Sequence, residues 1–291
     1  MSNKIIDCLA YDGTVSIKCI SSTEMVEKAR KIHDLSPVAT AALGRLLTIT
    51  SIMGYELKGD KTSLTNQIKG NGPLGMMTAV AQDNANVKGY VQNPHVDLPL
   101  NTENGKLDVG EAVGKSGMLH IIKDLGKNTQ PYIGMTPIIS GEIAEDFTNY
   151  FAKSEQIPTV IALGVLVDKN GVRAAGGYKL SLMPNVTDEV IDKIEEIVKD
   201  IKPISKMLDE NITLEEIAKT VTGDKNLKVL QELNPEYKCD CSRERIEKGL
   251  IAIGKDELQK IIDEEEKIEI VCNFCNEKYN FTREDLKGLI K

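Results

Sequence analysis

Four of the six cysteines stand as two close pairs near the C-terminal end: Cys239-Asp240-Cys241 and, after 30 intervening residues, Cys272-Asn273-Phe274-Cys275. No other feature restricts the fold as much. Each pair offers two thiolates at short range, and the segment between them brings the pairs together, which is the ligand logic of a four-thiolate zinc site. That segment reads as foldable. Ser242 is placed to cap a helix running to Ile253, closed by Gly254, and Asp256 to cap a second helix carrying Leu258, Ile261 and Ile262. Ile268 and Ile270 alternate toward Cys272, Tyr279 and Phe281 alternate beyond Cys275, and Thr282 to Asp285 opens a terminal helix. Four sulfurs fill a tetrahedral site and leave no position for water, which argues against hydrolytic zinc chemistry. Lys238, Arg243 and Arg245 are available to offset the negative charge.

A domain of this size has a thin core and depends on its staple. Zinc would link the two pairs across the intervening residues. A disulfide inside either pair would close only a tiny loop, so oxidation within the pairs would eject the metal and remove the long-range closure together. The single-residue spacing strains a Cys239–Cys241 bond, so Cys272–Cys275 is expected to form first. On the residues alone, an inert zinc module and an oxidant-triggered unfolding switch both remain open.

Upstream, the fold class read from the pattern is α+β, a mixed strand and helix core rather than a doubly wound sheet. Asp12-Gly13 separates two β-like runs, Ile5–Tyr11 and Thr14–Ile20, as a hairpin signal does. Helices are predicted over Thr23–His33, from Pro37 to about Leu57 and over Ile143–Phe151. Strands are predicted over Leu64–Ile68, Met76–Ala81, Val87–Val91, Met118–Ile122, Ile133–Ile139, Val160–Val167 and Tyr178–Met183, with a turn at Gly176-Gly177. The composition shifts at Pro184-Asn185. From Thr187, an expected N-cap, Val190, Ile191, Ile194, Ile197, Val198 and Ile201 recur at helical spacing, Pro203 ends or kinks the run, and Thr213 with Glu216 forms a capping box. The organisation expected is therefore a core domain over 1–184, an amphipathic helical linker over 185–231 that is either a pair of docked helices or a conditionally folded element, and a four-cysteine zinc domain over 232–291.

Charge narrows the function. Residues 1–184 hold 18 basic and 18 acidic side chains, 185–231 hold 7 and 11, and 232–291 hold 11 and 15, so the net charge of -8 sits wholly in the last 107 residues. An acidic tail repels phosphate backbones and argues against a nucleic-acid partner, including a zinc-ribbon module that would need a basic face. No run of 18 uncharged apolar residues suggests a membrane span, and the N-terminal stretch through Tyr11 has no apolar signal region. Cysteine usage fits a reducing cytoplasm. Gly70-Asn71-Gly72-Pro73-Leu74-Gly75 matches a dinucleotide fingerprint but precedes a β-like run, and Gly114-Lys115-Ser116 lacks the upstream glycine of a phosphate loop. His33, His95 and His120 lie apart without a ligand pattern, and Cys8 and Cys19, diagonal on one hairpin face, read as buried free thiols.

The runs Tyr237-Lys238-Cys239-Asp240-Cys241-Ser242-Arg243-Glu244-Arg245 and Cys272-Asn273-Phe274-Cys275-Asn276-Glu277-Lys278-Tyr279 closely resemble the 33 kDa chaperonin family of redox-regulated heat-shock holdases. Gly141-Glu142-Ile143-Ala144-Glu145-Asp146-Phe147, Ser154-Glu155-Gln156-Ile157-Pro158, Ala174-Ala175-Gly176-Gly177 and Gly72-Pro73-Leu74-Gly75 resemble blocks of its first domain. The resemblance implies a non-enzymatic, ATP-independent cytoplasmic chaperone. Its reduced form would be an inactive monomer holding one Zn²⁺ on the thiolates of Cys239, Cys241, Cys272 and Cys275. Oxidation would form the redox-active disulfides Cys239–Cys241 and Cys272–Cys275, release zinc and unfold the linker. The active homodimer would then hold unfolding client proteins. The linker stripe at Ile194, Ile197 and Ile201 is the candidate client-binding surface, since freed apolar patches bind other apolar chains. A thiol oxidoreductase is the alternative enzymatic reading, and it needs Cys-x-x-Cys opening a helix.

Overall fold

A hairpin starts the chain. β1 (Lys4–Ala10) and β2 (Val15–Ser21) pair antiparallel through a three-residue turn, Tyr11–Gly13. Tyr11, Asp12 and Gly13 all carry left-handed φ angles of 50°, 52° and 92°. Asp and Gly accept that region at low cost, which is why Asp12-Gly13 marks the turn. The structure, a computed structural model, describes residues 2–59, 62–82, 84–102, 105–126 and 129–290. It divides into two units, Met1–Tyr237 and Lys238–Lys291.

In the first unit α1 (Thr23–His33) leads to α2 (Pro37–Tyr55). Ser36 caps α2 by accepting from the Ala39 N–H, and Pro37 occupies the first turn, where its missing N–H costs nothing. α2 is long and apolar enough to cross a membrane, but 89% of it is buried inside the protein. It is the central core helix, packed against two sheets at once. Its one charged residue, Arg45, leaves the core by pairing with Glu142 at 2.5 Å.

One sheet collects β3 (Ser63–Gly70), β4 (Met76–Gln82), β5 (Val87–Val91), β6 (Gly117–Asp124) and β7 (Tyr132–Pro137), in the order β5-β4-β3-β6-β7. Between β5 and β6 lies α3 (Val109–Val113), and after β7 come α4 (Ala144–Tyr150) and a π-helical turn, Phe151–Glu155. The other sheet adds β8 (Thr159–Asp168) and β9 (Gly171–Leu182) to the hairpin, in the order β10-β1-β2-β9-β8, where β10 is Lys228–Leu233. Among the described residues every pairing between these strands is antiparallel, so the class is α+β as the pattern indicated.

Three elements differ from the sequence expectation. Gly176-Gly177 is no turn but the middle of β9, paired with Ser21 and Ile20. The glycines are there because other groups come close: a Cβ at Gly176 would overlap Leu208, and one at Gly177 would lie 2.6 Å from Leu163. The short α3 and the edge strand β10 were not anticipated. β10 is exposed over nearly its whole length and has no alternating burial to announce it.

The segment from residue 185 onward is folded in the first unit. α5 (Asp188–Asp200) begins after Thr187, whose backbone is extended but whose side chain makes no cap. Pro203 forces a restart as α6 (Ile204–Asp209), and α7 (Leu214–Thr222) opens on the Thr213–Glu216 capping box. Their apolar faces cover β1, β2, β8 and β9 and form a second core with Ile6, Ile17, Tyr178 and Leu180. Ile194 is buried in this core, while Ile197 and Ile201 are half-buried at its margin. The hairpin turn secures the end of α7: the Tyr11 hydroxyl donates to the Thr222 carbonyl at 2.7 Å and the Tyr11 N–H to Asp224 at 2.8 Å. Each fully buried Leu or Ile in this interface contributes about 1.5–3 kcal/mol.

Gly176→Ala should push Leu208 off the sheet and destabilise the docked helices by about 1–3 kcal/mol. Limited proteolysis should then cut residues 185–222 faster, with the cysteine unit still resistant. Unchanged protection of 185–222 would show that α6 tolerates the methyl group.

Candidate metal centre

The second unit builds the site from its two ends. α8 (Arg243–Ala252) is capped by Ser242, which accepts from the Arg245 N–H. α9 (Lys255–Glu264) starts from Gly254 at φ 98°, so Asp256 lies in the first turn and is not the cap expected from sequence. β11 (Lys267–Val271) and β12 (Lys278–Thr282) form a hairpin, and Thr282 with Asp285 makes the capping box of α10 (Arg283–Leu289). Among the described residues of this unit, only Leu250, Leu258, Ile262, Phe281 and Leu286 are buried apart from the cysteine site. A core of that size leaves an isolated fold marginal.

Cys272 and Cys275 lie in the turn between β11 and β12. The Cys272 N–H donates to the Glu277 carbonyl at 2.9 Å, and the Cys275 and Asn276 N–H groups donate back to the Cys272 carbonyl at 3.3 Å and 2.8 Å. Asn276 takes the left-handed conformation, φ 59°, that closes the turn. Cys239 and Cys241 approach from the extended segment before α8. The four Sγ atoms lie within 4.8 Å of one another, with Cys239 and Cys272 3.7 Å apart and Cys241 and Cys275 3.3 Å apart.

These residues fit a tetrahedral metal. Zn–S bonds of about 2.3 Å put neighbouring sulfurs about 3.8 Å apart, inside the range found here. Burial pushes the Cys239 thiol up to about 11 and raises Cys275 as well. Burial opposes ionisation of Cys241 too, but hydrogen bonds from Tyr279 and the neighbouring cysteines outweigh it and hold its thiol below the usual range. The Tyr279 hydroxyl lies 3.1 Å from Cys241 Sγ. Four sulfurs this close cannot all carry charge unless a cation sits among them.

The sequence anticipated the four cysteines together, and the structure brings them to one point. Tyr279 was read only as part of an apolar alternation; its contact with Cys241 joins residues 38 apart and has no local signature. Two of the cations read as charge balance, Arg243 and Arg245, are engaged elsewhere. Arg243 pairs with Glu247 and Asp285 and stacks 4.3 Å over Phe281, and Arg245 pairs with Asp240. The histidines take no part: His33 bonds the Tyr237 hydroxyl at 3.1 Å, and His95 and His120 lie on other elements of the first unit. Gly70 to Gly75 forms the turn from β3 to β4, and Gly114-Lys115-Ser116 leads into β6, so neither opens a helix.

An antiparallel α+β unit with helices laid over one sheet, followed by a small unit drawn around four convergent thiols, defines a two-part protein whose C-terminal module can hold a metal ion. The profile of the Hsp33 protein family matches residues 3–282. A 33 kDa chaperonin of Clostridium perfringens is 48% identical over all of this chain and 91% of its own length, and one of Clostridium beijerinckii is 49% identical over all of this chain and 99% of its own. The crystal structure of the 33 kDa chaperonin (heat shock protein 33 homolog) of Thermotoga maritima superposes with a TM-score of 0.90 at 38% identity, covering all of this chain and 98% of that one. The chain belongs to the Hsp33 family of chaperones.

Metal titration should show one divalent ion per chain bound through thiolates, seen as thiolate-to-metal charge transfer with Co²⁺. Cys275→Ser should abolish tight binding and unfold residues 238–291, because a structural zinc supplies roughly 10–16 kcal/mol of apparent folding free energy. Retained helical signal from this unit in a metal-free sample would contradict that dependence.

Proposed function

We propose that this protein is a redox-regulated, ATP-independent holdase of the cytoplasm, inactive while zinc-bound and reduced. Zn²⁺ bound by Cys239, Cys241, Cys272 and Cys275 would supply a closed structural crosslink and no open coordination position. Oxidation to Cys239–Cys241 and Cys272–Cys275 disulfides transfers two electron pairs to the oxidant, removes the ligands and releases the ion. The unit then retains only its thin apolar core.

The observation that carries the reading is the docked state of the linker. Its apolar face is buried on the first unit's sheet and its outer face is charged. Freeing it exposes two complementary apolar surfaces at once, the helix stripe and the sheet beneath, and such surfaces bind unfolding chains. The acidic tail keeps an opened molecule soluble. We further propose that the reduced protein is a monomer and the oxidised one a homodimer, that linker and zinc domain act as the regions 185–231 and 232–291, and that the protein works by binding rather than catalysis, without ATP, nucleic acid or membrane. A thiol oxidoreductase is disfavoured because the Cys272–Cys275 turn joins two strands and opens no helix that would activate a thiol.

Light scattering from a heat-unfolded client tests the reading. Peroxide-treated protein at mild heat should suppress aggregation and zinc-loaded reduced protein should not. Equal suppression by both would leave a chaperone without the switch; none by either, with zinc retained after treatment, would leave an inert zinc module. Replacing Ile194, Ile197 and Ile201 together with Ser should weaken holding by the oxidised form. Full holding by a folded triple variant would remove the stripe from the client surface.

A further inference from the structure

Cys8 and Cys19 take no part in the four-thiol centre. They stand on neighbouring strands, Cys8 opposite Ile17 and Cys19 opposite Ile6, so both side chains share one face of the sheet, two positions out of step. That face is the one the linker helices cover, and both thiols are wholly buried there. α7 packs on β1 and β2, and α6 packs on β8 and β9, where Tyr178 is paired directly with Cys19. Burial is the main cause that keeps both thiols protonated, pushing Cys8 up to about 12 and Cys19 well above its usual range. Docked helices therefore make both sulfurs inert.

Where α6 lies on β8 and β9 the cover leaves no spare room. A Cβ at Gly164 would lie 3.0 Å from both Ile204 and Ser205, and one at Gly176 would overlap Leu208. A layer that does not admit a methyl group on the sheet does not admit an adduct several atoms long beside it.

We propose that Cys8 and Cys19 form a covalent modification site that is closed while α5–α7 are docked, opens when they leave, takes up a low-molecular-weight disulfide, and then bars the helices from returning. The proposal rests on the linker release proposed above. In the exchange the cysteine gives its proton to solvent, and its thiolate attacks one sulfur of the incoming disulfide. That S–S bond breaks, a new bond joins the cysteine Sγ to the attacked sulfur, and the other half leaves as a thiolate that takes up a proton. One disulfide is consumed and one is made, so no further oxidant enters. The register favours mixed disulfides over an internal one. Diagonal cross-strand neighbours stand about 7–8 Å apart, and a disulfide spans Cα separations of roughly 4.4–6.8 Å. An exposed cysteine titrates near about 8.5, so relief of burial raises the reactive thiolate fraction of both at neutral pH.

Full-length protein is incubated with hydroxyethyl disulfide, adducts are mapped by peptide mass spectrometry, and limited proteolysis of residues 185–222 reports undocking. Three samples are compared: zinc-loaded reduced protein, peroxide-treated protein, and a zinc-loaded Met207→Asp, Ile217→Asp variant whose helices are loosened without oxidation. Modification of Cys8 and Cys19 should be at least on the order of a hundredfold faster in the last two. In a fourth arm, zinc-loaded wild-type protein is opened in moderate urea, modified and returned to buffer. Its 185–222 segment should stay protease-sensitive, while a Cys8→Ser, Cys19→Ser protein taken through the same steps regains protection. Equal rates in docked and loosened protein, unmodified thiols under helices shown to be loose, or recovered protection in adducted protein would each overturn the proposal. If peroxide leaves 185–222 protected while the loosened variant is modified, the redox release fails and the modification site stands.

Discussion

Apolar contact between the linker helices and the sheet of β1, β2, β8 and β9 is what the rest of this architecture turns on. Without it the sheet shows Ile6, Ile17 and Leu180 to solvent, and α5–α7 become short, highly charged helices with nothing to bury. Isolated helices of 13, 6 and 9 residues are marginal in water, so most of their order comes from docking. Folding of the segment and concealment of the sheet are therefore one event. The glycines at 164 and 176 show how closely the two layers are fitted, since each stands where a side chain would push them apart.

The four-thiol centre follows the opposite design. Little of the second unit's order derives from apolar burial, because five side chains make nearly all of its fully buried core. Its chain path is set instead by the requirement that one turn and one extended segment present four sulfurs to one point. The first unit is held by distributed contacts; with zinc bound, the second would be held by one centre that is either intact or lost.

Much of this was legible because the signals are local. Asp12-Gly13, Pro37 after Ser36, the Thr213–Glu216 and Thr282–Asp285 boxes and the cysteine spacing each encode a short-range geometry, and the elements begin or end where those residues place them. What escaped is non-local. Gly176-Gly177 looks like a turn until Leu208 is laid against it; β10 becomes a strand only because β1 offers an edge; Tyr279 reaches a sulfur 38 residues away. The expected cap at Asp256 failed for a local reason, because a left-handed Gly254 starts the helix two residues sooner.

Tyr237 carries a further consequence. Its ring is buried, its hydroxyl donates to the Gly89 carbonyl at 2.8 Å and meets His33, and Glu236 and Val87 exchange backbone contacts beside it. Cys239 follows two residues later. The chain is thus moored between the sulfur centre and the linker, and slack released on one side does not run freely to the other. In the proposed switch the chain would work as two links in series: chemistry would break the first, and this mooring would oppose loss of the second.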